Sequence, residues 1–154
     1  MGCSIPQWRS TSEFPSRVRR SFSNRTWVIS RPSISNRNSL CAAFNAHDLD
    51  RIMTFFADDC VLEMPRGPHP WGARFEGKQA VRQGLALRFE GLPDVHYGKE
   101  EHFVDSDRKT GISRWTLTGT TGEGRRLEVR GCDFYTFQDG QVTCKDSYWK
   151  IVEA

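Results

Sequence analysis

The spacing of apolar positions changes near Asn38, and the chain reads differently on either side of it. Residues 1–36 show no sustained period of 3.6 or 2. Beyond them, Leu40, Ala43, Phe44 and Ala46 share one face of a short helix, with Ser39 placed to cap it. Asp48 opens a second helix over 49–56, with Ile52, Met53 and Phe56 on its apolar face, and Asp58 and Asp59 end it. Residues 60–64 read as a short strand. Three prolines and two glycines between Pro65 and Gly72 predict a shaped loop. A longer helix runs from Gly77 to about Glu90, with Val81, Leu85, Leu87 and Phe89 available for packing. Strands are predicted at about 95–104, 111–120, 126–138 and 141–152, with turns at 105–110, 121–124 and 139–140. Helices followed by an antiparallel meander make an α+β fold.

The last hairpin carries the candidate chemistry. Asp139-Gly140 between two alternating runs is a strong signal for a two-residue hairpin loop. Unbroken alternation from that loop sets Phe137 opposite Val142, Tyr135 opposite Cys144 and Asp133 opposite Asp146. One face then holds Asp133, Tyr135, Asp146, Tyr148 and Lys150, and the other holds Phe134, Lys145, Ser147 and Trp149. Opposed carboxylates destabilise a sheet unless water, a cation or a shared proton relieves them. In a desolvated cavity one of the pair keeps its proton, which yields an acid and a base from one residue type. A wet face, or neutralisation by Lys150, is the alternative, and a bulge would break the pairing. Cys132 and Cys144 fall on opposite faces in this register.

Composition narrows the classes. The chain has 154 residues and ten Phe, five Trp and three Tyr, enough for one domain with a real core. No stretch approaches the roughly 18 apolar residues of a membrane span. Residues 1–40 hold seven arginines, no lysine and one acid, Glu13, so the net charge of +3 belongs to this segment and the remainder is mildly acidic. A nucleic-acid surface would rest on the tail alone, and neither nucleic acid nor a membrane is expected as a partner. Residues 1–36 read as a disordered Arg/Ser-rich leader or a mis-called start, or as a mitochondrial transit peptide if the source is a eukaryote; the domain is expected at 37–154. Five cysteines without a CxxC and four histidines without an HExxH or HxH predict no metal site. Reduced thiols fit a cytoplasmic protein.

Three runs carry a resemblance: Phe44-Asn45-Ala46-His47-Asp48-Leu49-Asp50, Phe55-Phe56-Ala57-Asp58-Asp59-Cys60-Val61, and Phe75-Glu76-Gly77-Lys78-Gln79-Ala80-Val81. Together with Gly131 to Val142 they resemble the nuclear transport factor 2-like superfamily, and more narrowly its SnoaL-like and ketosteroid-isomerase-like members, over about residues 38–152. The resemblance implies a cone: a curved antiparallel sheet wrapped around the N-terminal helices with one deep, mostly apolar pocket, usually a homodimer and usually without a cofactor. It also implies where catalytic groups would stand. The steroid-isomerase base position is Met64 and the oxyanion-tyrosine position is Leu40, so that pair is absent. Asp133 matches the second oxyanion residue. Asp146 matches the last-strand carboxylate of limonene-epoxide-hydrolase-like members, but Ser113 to Thr118 lacks their Arg-x-Asp pair.

The expected catalytic residues are therefore Asp133, Asp146 and Tyr148, the tyrosine donating a hydrogen bond near Asp146. Met64, Trp71, Trp115, Leu117 and Tyr135 are the expected substrate-binding residues, with Trp71 as a lid on the Pro-rich loop. The function expected is a cofactor-independent isomerase, cyclase, dehydratase or hydrolase acting on a small hydrophobic carbonyl, enol or epoxide compound. A non-catalytic ligand-binding or dimerisation module of the same fold is the alternative. Phe134 and Trp149, both expected on the outer face, would need a second copy to cover them.

Overall fold

The computed structural model describes residues 39–152. The arginine-rich segment and its boundary with the domain lie outside the described residues. Two short helices lead, α1 (Leu40–Asn45) and α2 (Leu49–Met53). Ser39 and Asp48 cap them by accepting from the amides of Ala42 and Arg51. The remaining elements are β1 (Phe56–Glu63), β2 (Arg74–Glu76), α3 (Lys78–Gly91), β3 (His96–Asp105), β4 (Thr110–Thr120), β5 (Arg126–Gln138) and β6 (Gln141–Trp149). Six strands form one curved, unclosed sheet in the order β2-β1-β6-β5-β4-β3. The chain folds as an α+β cone, with the helices against one face of the sheet.

Three local expectations are corrected. The second helix stops at Met53, not Phe56. Thr54 turns the chain, its hydroxyl donating to the Arg51 carbonyl, and Phe56 opens β1 fully buried beside Val142. Tertiary burial of Phe56 overrides the local helical period, and Asp58 and Asp59 are exposed strand residues. β2 pairs with β1 where no element was expected. The sheet is mixed: β6 runs parallel to β1, after β2, α3 and three strands intervene before the chain returns beside β1.

Two apolar clusters share the inner face. One gathers Ala43, Phe44, Ile52, Met53, Phe56, Cys60, Leu62, Val81, Leu85 and Val142. The other gathers Leu92, Val95, Trp115, Leu117 and Val129. Phe89 and Tyr97 touch both. Asn45 ties α1 to β3 by a reciprocal pair: its amide donates to the Tyr97 carbonyl at 2.9 Å and its oxygen accepts from the Tyr97 amide at 2.8 Å. The His47 ring bonds the Val95 carbonyl at 2.8 Å and stacks on Phe89 at 4.6 Å. No helix among the described residues is long and apolar enough to cross a membrane.

Candidate functional site

The Asp139-Gly140 hairpin forms as expected, with both residues at positive φ (51° and 80°). Gln138 pairs with Gln141 and Phe137 with Val142. Then the register shifts. Thr143 is an extra residue on β6, so Thr136 meets Cys144, Tyr135 meets Lys145, Phe134 meets Asp146 and Asp133 meets Ser147. One inserted residue in a ladder of period 2 exchanges the faces of everything beyond it. Lys145, Ser147 and Trp149 therefore turn inward, and Asp146 and Tyr148 turn outward.

The expected Asp133/Asp146 pair is not formed. Asp146 pairs with Phe134 on the outer face, where Tyr148 (54% exposed) donates to it at 2.8 Å. That bond raises the Tyr148 phenol. Cys132 and Cys144 end on the same face, and both are free thiols. The outer face shows Phe134 and Phe103 exposed, with Phe134 edge-on to Tyr148 at 5.7 Å, while Trp149 has left it.

Asp133, 4% exposed, is instead the hub of a buried cluster between the two apolar groups. Its Oδ1 accepts from Lys145 Nζ at 2.6 Å and from Ser147 Oγ at 2.7 Å. Its Oδ2 accepts from Trp115 Nε1 at 2.9 Å and from the Tyr135 hydroxyl at 3.2 Å. Lys145, 6% exposed, also donates to Ser147 Oγ at 2.6 Å and lies 5.8 Å and 5.9 Å from the ring centres of Phe44 and Tyr135. Burial first, and then the Asp133 charge, pushes the Tyr135 phenol well above its ordinary value. Burial also raises Tyr97, with Arg88 pulling it the other way and Asp133 adding to the rise. The thiol of Cys41 donates to Glu100 at 2.6 Å. Its pKa is raised by burial, then by that carboxylate and by Asp133.

Gly131 makes this geometry possible. A side chain there would stand 2.3 Å from the Trp115 ring and 2.4 Å from the Tyr148 carbonyl. Without one, the indole lies across β5 and reaches the carboxylate two residues on. Of the residues expected at the site, Asp133, Trp115 and Tyr135 come together, and Leu117 is fully buried in the cluster beside them. Met64 packs against the other cluster and lines a cavity together with Arg66, Arg88 and Trp149. Trp71 does not join them: it is 50% exposed and stacked on His69 at 5.1 Å, and it is not among the residues lining that cavity.

The SnoaL-like domain family matches residues 38–144. The chain belongs to that family. No curated protein matches it significantly. Among solved structures, the SnoaL-like chain is similar to a Mycobacterium tuberculosis protein in complex with estradiol-17β-hemisuccinate. The two are 27% identical with a TM-score of 0.62, over 73% of this chain and 89% of that one. A Pseudomonas putida protein, whose naming as a polyketide cyclase is itself an inference, matches at 16% identity and TM-score 0.65, over 74% and 88%. TerC, co-crystallised with polyporic acid, matches at 18% and 0.62, over 72% and 85%. The last two show the fold, which is nuclear transport factor 2-like.

Lys145, Ser147 and Trp149 were missed from the sequence because their place depends on one bulge. A signal for them exists: an inward Asp133 is better matched by a cation than by a second carboxylate. Arg88 was missed for another reason. It lies in the last turn of α3, where a basic residue reads as a helix-end charge. In this SnoaL-like domain its guanidinium instead lies 4.5 Å from the Trp149 ring centre. Among the described residues no group of three or more His, Cys, Asp or Glu is placed to hold a metal ion.

Proposed function

We propose that this SnoaL-like protein is a cofactor-independent enzyme acting by acid–base chemistry on a small hydrophobic carbonyl, enol or epoxide compound held against the inner face of its sheet. The observation that carries this reading is the Asp133–Lys145–Ser147 centre, buried between two apolar clusters. Withdrawing a carboxylate and an ammonium from water costs several kcal/mol per ion, and apolar side chains of the same volume would fill the place without it. A buried charge pair on the inner wall of a cone is thus a functional-site candidate.

Lys145 is the group with something left to give. Two of its N–H bonds go to Asp133 and Ser147, and the third has no acceptor among the described residues. That N–H is a donor for an oxyanion developing on a substrate carbonyl or epoxide oxygen. Passing its proton to the oxygen leaves an amine that can take a proton from the neighbouring carbon, which is an enolisation. Asp133 accepts four hydrogen bonds; its part is to position Lys145 and Tyr135. The likeness to the estradiol-hemisuccinate-binding protein supports a small ring-bearing ligand.

The test is turnover of a panel of carbonyl, enol and epoxide compounds by the full chain and by Lys145→Met. Loss of about 10²–10⁴-fold is the scale expected for a general acid–base group; equal turnover by the variant would sink the reading. A second reading, ligand binding without turnover, is favoured by the saturation of Asp133, which leaves no free carboxylate base. A ligand that binds wild type and Lys145→Met equally and is never converted by either would select it.

A homodimer and a cytoplasmic location belong to the same proposal. Phe103, Phe134 and Tyr148 leave apolar surface on the outer face that a second copy would cover. Sedimentation of the wild type against Phe134→Lys tests this, with dissociation to monomer expected. The free thiols at Cys60, Cys132 and Cys144 support a reducing compartment.

A further inference from the structure

We infer that the cavity beside Trp149 is a binding site for the anionic head of an amphipathic organic acid, a carboxylate joined to an aromatic or polycyclic body. The inference rests on reading the cone as a small-molecule site, and it names the class of molecule. The cavity, of about 290 Å³, is lined by residues that include Met64, Arg66, Arg88, Arg125, Leu127 and Trp149. Three of its lining residues are arginines and none is an acid.

Neither Arg66 nor Arg88 has a carboxylate partner among the described residues, and both are held against the same indole. The guanidinium carbons lie 5.3 Å and 4.5 Å from the Trp149 ring centre. Like charges gathered round one ring repel: burial chiefly lowers the Arg88 pKa, Tyr97 and Asp133 act against it, and Arg66 adds a smaller lowering. Elsewhere on the domain, Arg74 pairs with Glu63 and Glu76, Arg82 with Asp50, and Arg114 with Glu101. An anion in this cavity would offset the repulsion between Arg66 and Arg88 as well as gain hydrogen bonds. A planar guanidinium fork fits a carboxylate in particular.

The shape of the cavity supplies the other half of the ligand. Leu87, Leu92, Leu127 and Met64 give it apolar walls. Its volume is at the low end for a ligand pocket, about 300–1,000 Å³, which suits one head group and one ring. Trp149 pairs with Gly131, and Trp115 lies over that glycine, so the cavity adjoins the wall that carries Trp115 and the Asp133–Lys145 centre.

The experiment compares 2-naphthylacetate with its neutral amide, 2-naphthylacetamide, by calorimetric titration on the full chain. The two probes differ in charge and scarcely in shape. Binding of the acid at least tenfold tighter than the amide is expected, falling with added salt. The preference should disappear in Arg88→Gln and shrink in the rim variant Arg125→Gln, each checked for a native circular dichroism spectrum. Equal binding of acid and amide would overturn the anion site and leave the small-molecule reading standing. Binding of neither would overturn both. A preference for the acid that survives Arg88→Gln, Arg66→Gln and Arg125→Gln together would also overturn it, because the charge would then be read elsewhere.

Discussion

Lys145 Nζ stands 2.6 Å from Asp133 Oδ1 with both side chains almost fully withdrawn from solvent. Their strands are neighbours, but their positions are not directly opposed: Lys145 faces Tyr135, and Asp133 faces Ser147. The contact is therefore diagonal, and the Ser147 hydroxyl closes it into a triangle by accepting from the amine and donating to the carboxylate. Every one of these bonds depends on Thr143 being extra.

Removing one member of the pair should be worse than removing both. Lys145→Met leaves Asp133 ionised and buried against three neutral donors, at a cost of about 3–5 kcal/mol. Asp133→Leu leaves the ammonium stranded, at a similar cost. The double variant Asp133→Leu/Lys145→Met buries no charge and should recover much of the loss. Urea unfolding of the four proteins measures the coupling; simple additivity of the two single losses would show that the pair is not energetically joined.

Gly131→Ala is expected to act through Trp115. Its methyl group would stand inside contact distance of both the indole and the Tyr148 carbonyl. The backbone cannot yield cheaply in mid-ladder, so the ring moves and the bond to Asp133 is lost. Overpacking of this kind costs about 1–3 kcal/mol. The near-ultraviolet circular dichroism of Trp115 should weaken in step, and it should remain unchanged in Ala at Gly122, where nothing lies within 4 Å.

How much of this was legible beforehand follows from where each signal is stored. The first and the long helix, the four long strands and the Asp-Gly turn are written locally, in period and turn chemistry, and they appear where expected. Phe56 is not: its strand conformation comes from burial beside Val142, 86 positions along the chain. Asp133 and Tyr135 were placed on the inner face because they precede the bulge as counted from the site's own strand. Asp146 and Tyr148 were misplaced because they follow it. A single residue, Thr143, separates the two outcomes, and a threonine in a strand carries no mark of being a bulge. Trp71 could not be settled by pattern at all, because its loop is shaped by close backbone contacts at Gly67 and Gly72.

Asp146 and Asp133 should now behave oppositely under the same substitution. Asp146→Asn alters one hydrogen bond with an exposed tyrosine and should change stability by no more than about 0.5 kcal/mol. Asp133→Asn turns a four-fold acceptor into a group with two N–H bonds facing donors, and leaves Lys145 without its counter-charge. A loss of several kcal/mol is expected, on the scale of a broken buried pair. Thermal unfolding of the two variants side by side would reveal the register without a further structure, and equal losses would contradict it.

Asn45→Ala should loosen one seam rather than the whole domain. The side chain meets both the amide and the carbonyl of Tyr97, just before β3 departs from regular pairing between Gly98 and Glu101. With the clamp gone, the Tyr97 amide loses its acceptor. Its hydrogen exchange should accelerate far more than that of the Leu117 amide, which lies in the neighbouring strand and the intact cluster. Acceleration of both alike would mean that the clamp supports global stability instead.

Alkaline pH should destabilise the domain through groups it keeps neutral. Cys41, Tyr97 and Tyr135 all have raised folded-state pKa values, each chiefly from burial. A raised folded pKa means that the folded protein holds its proton where the unfolded chain has released it. The stabilisation is complete below the unfolded value and is lost as pH rises through the folded one. The decline therefore begins near the ordinary thiol value, about 8.5, and steepens past the phenol value, about 10. Replacing Cys41 by Ser removes the thiol from the first part of the decline. Replacing Tyr135 by Phe flattens the second part, although it also removes one of the four donors to Asp133 and so lowers stability at neutral pH. The two effects separate in a series of urea midpoints from pH 7 to 11. The neutral-pH offset reports the lost hydrogen bond, and the changed slope reports the lost proton linkage. A Tyr135→Phe curve parallel to wild type above pH 10 would mean that the phenol ionises in the folded state as easily as in water, and that the inner face is wetter than its packing indicates.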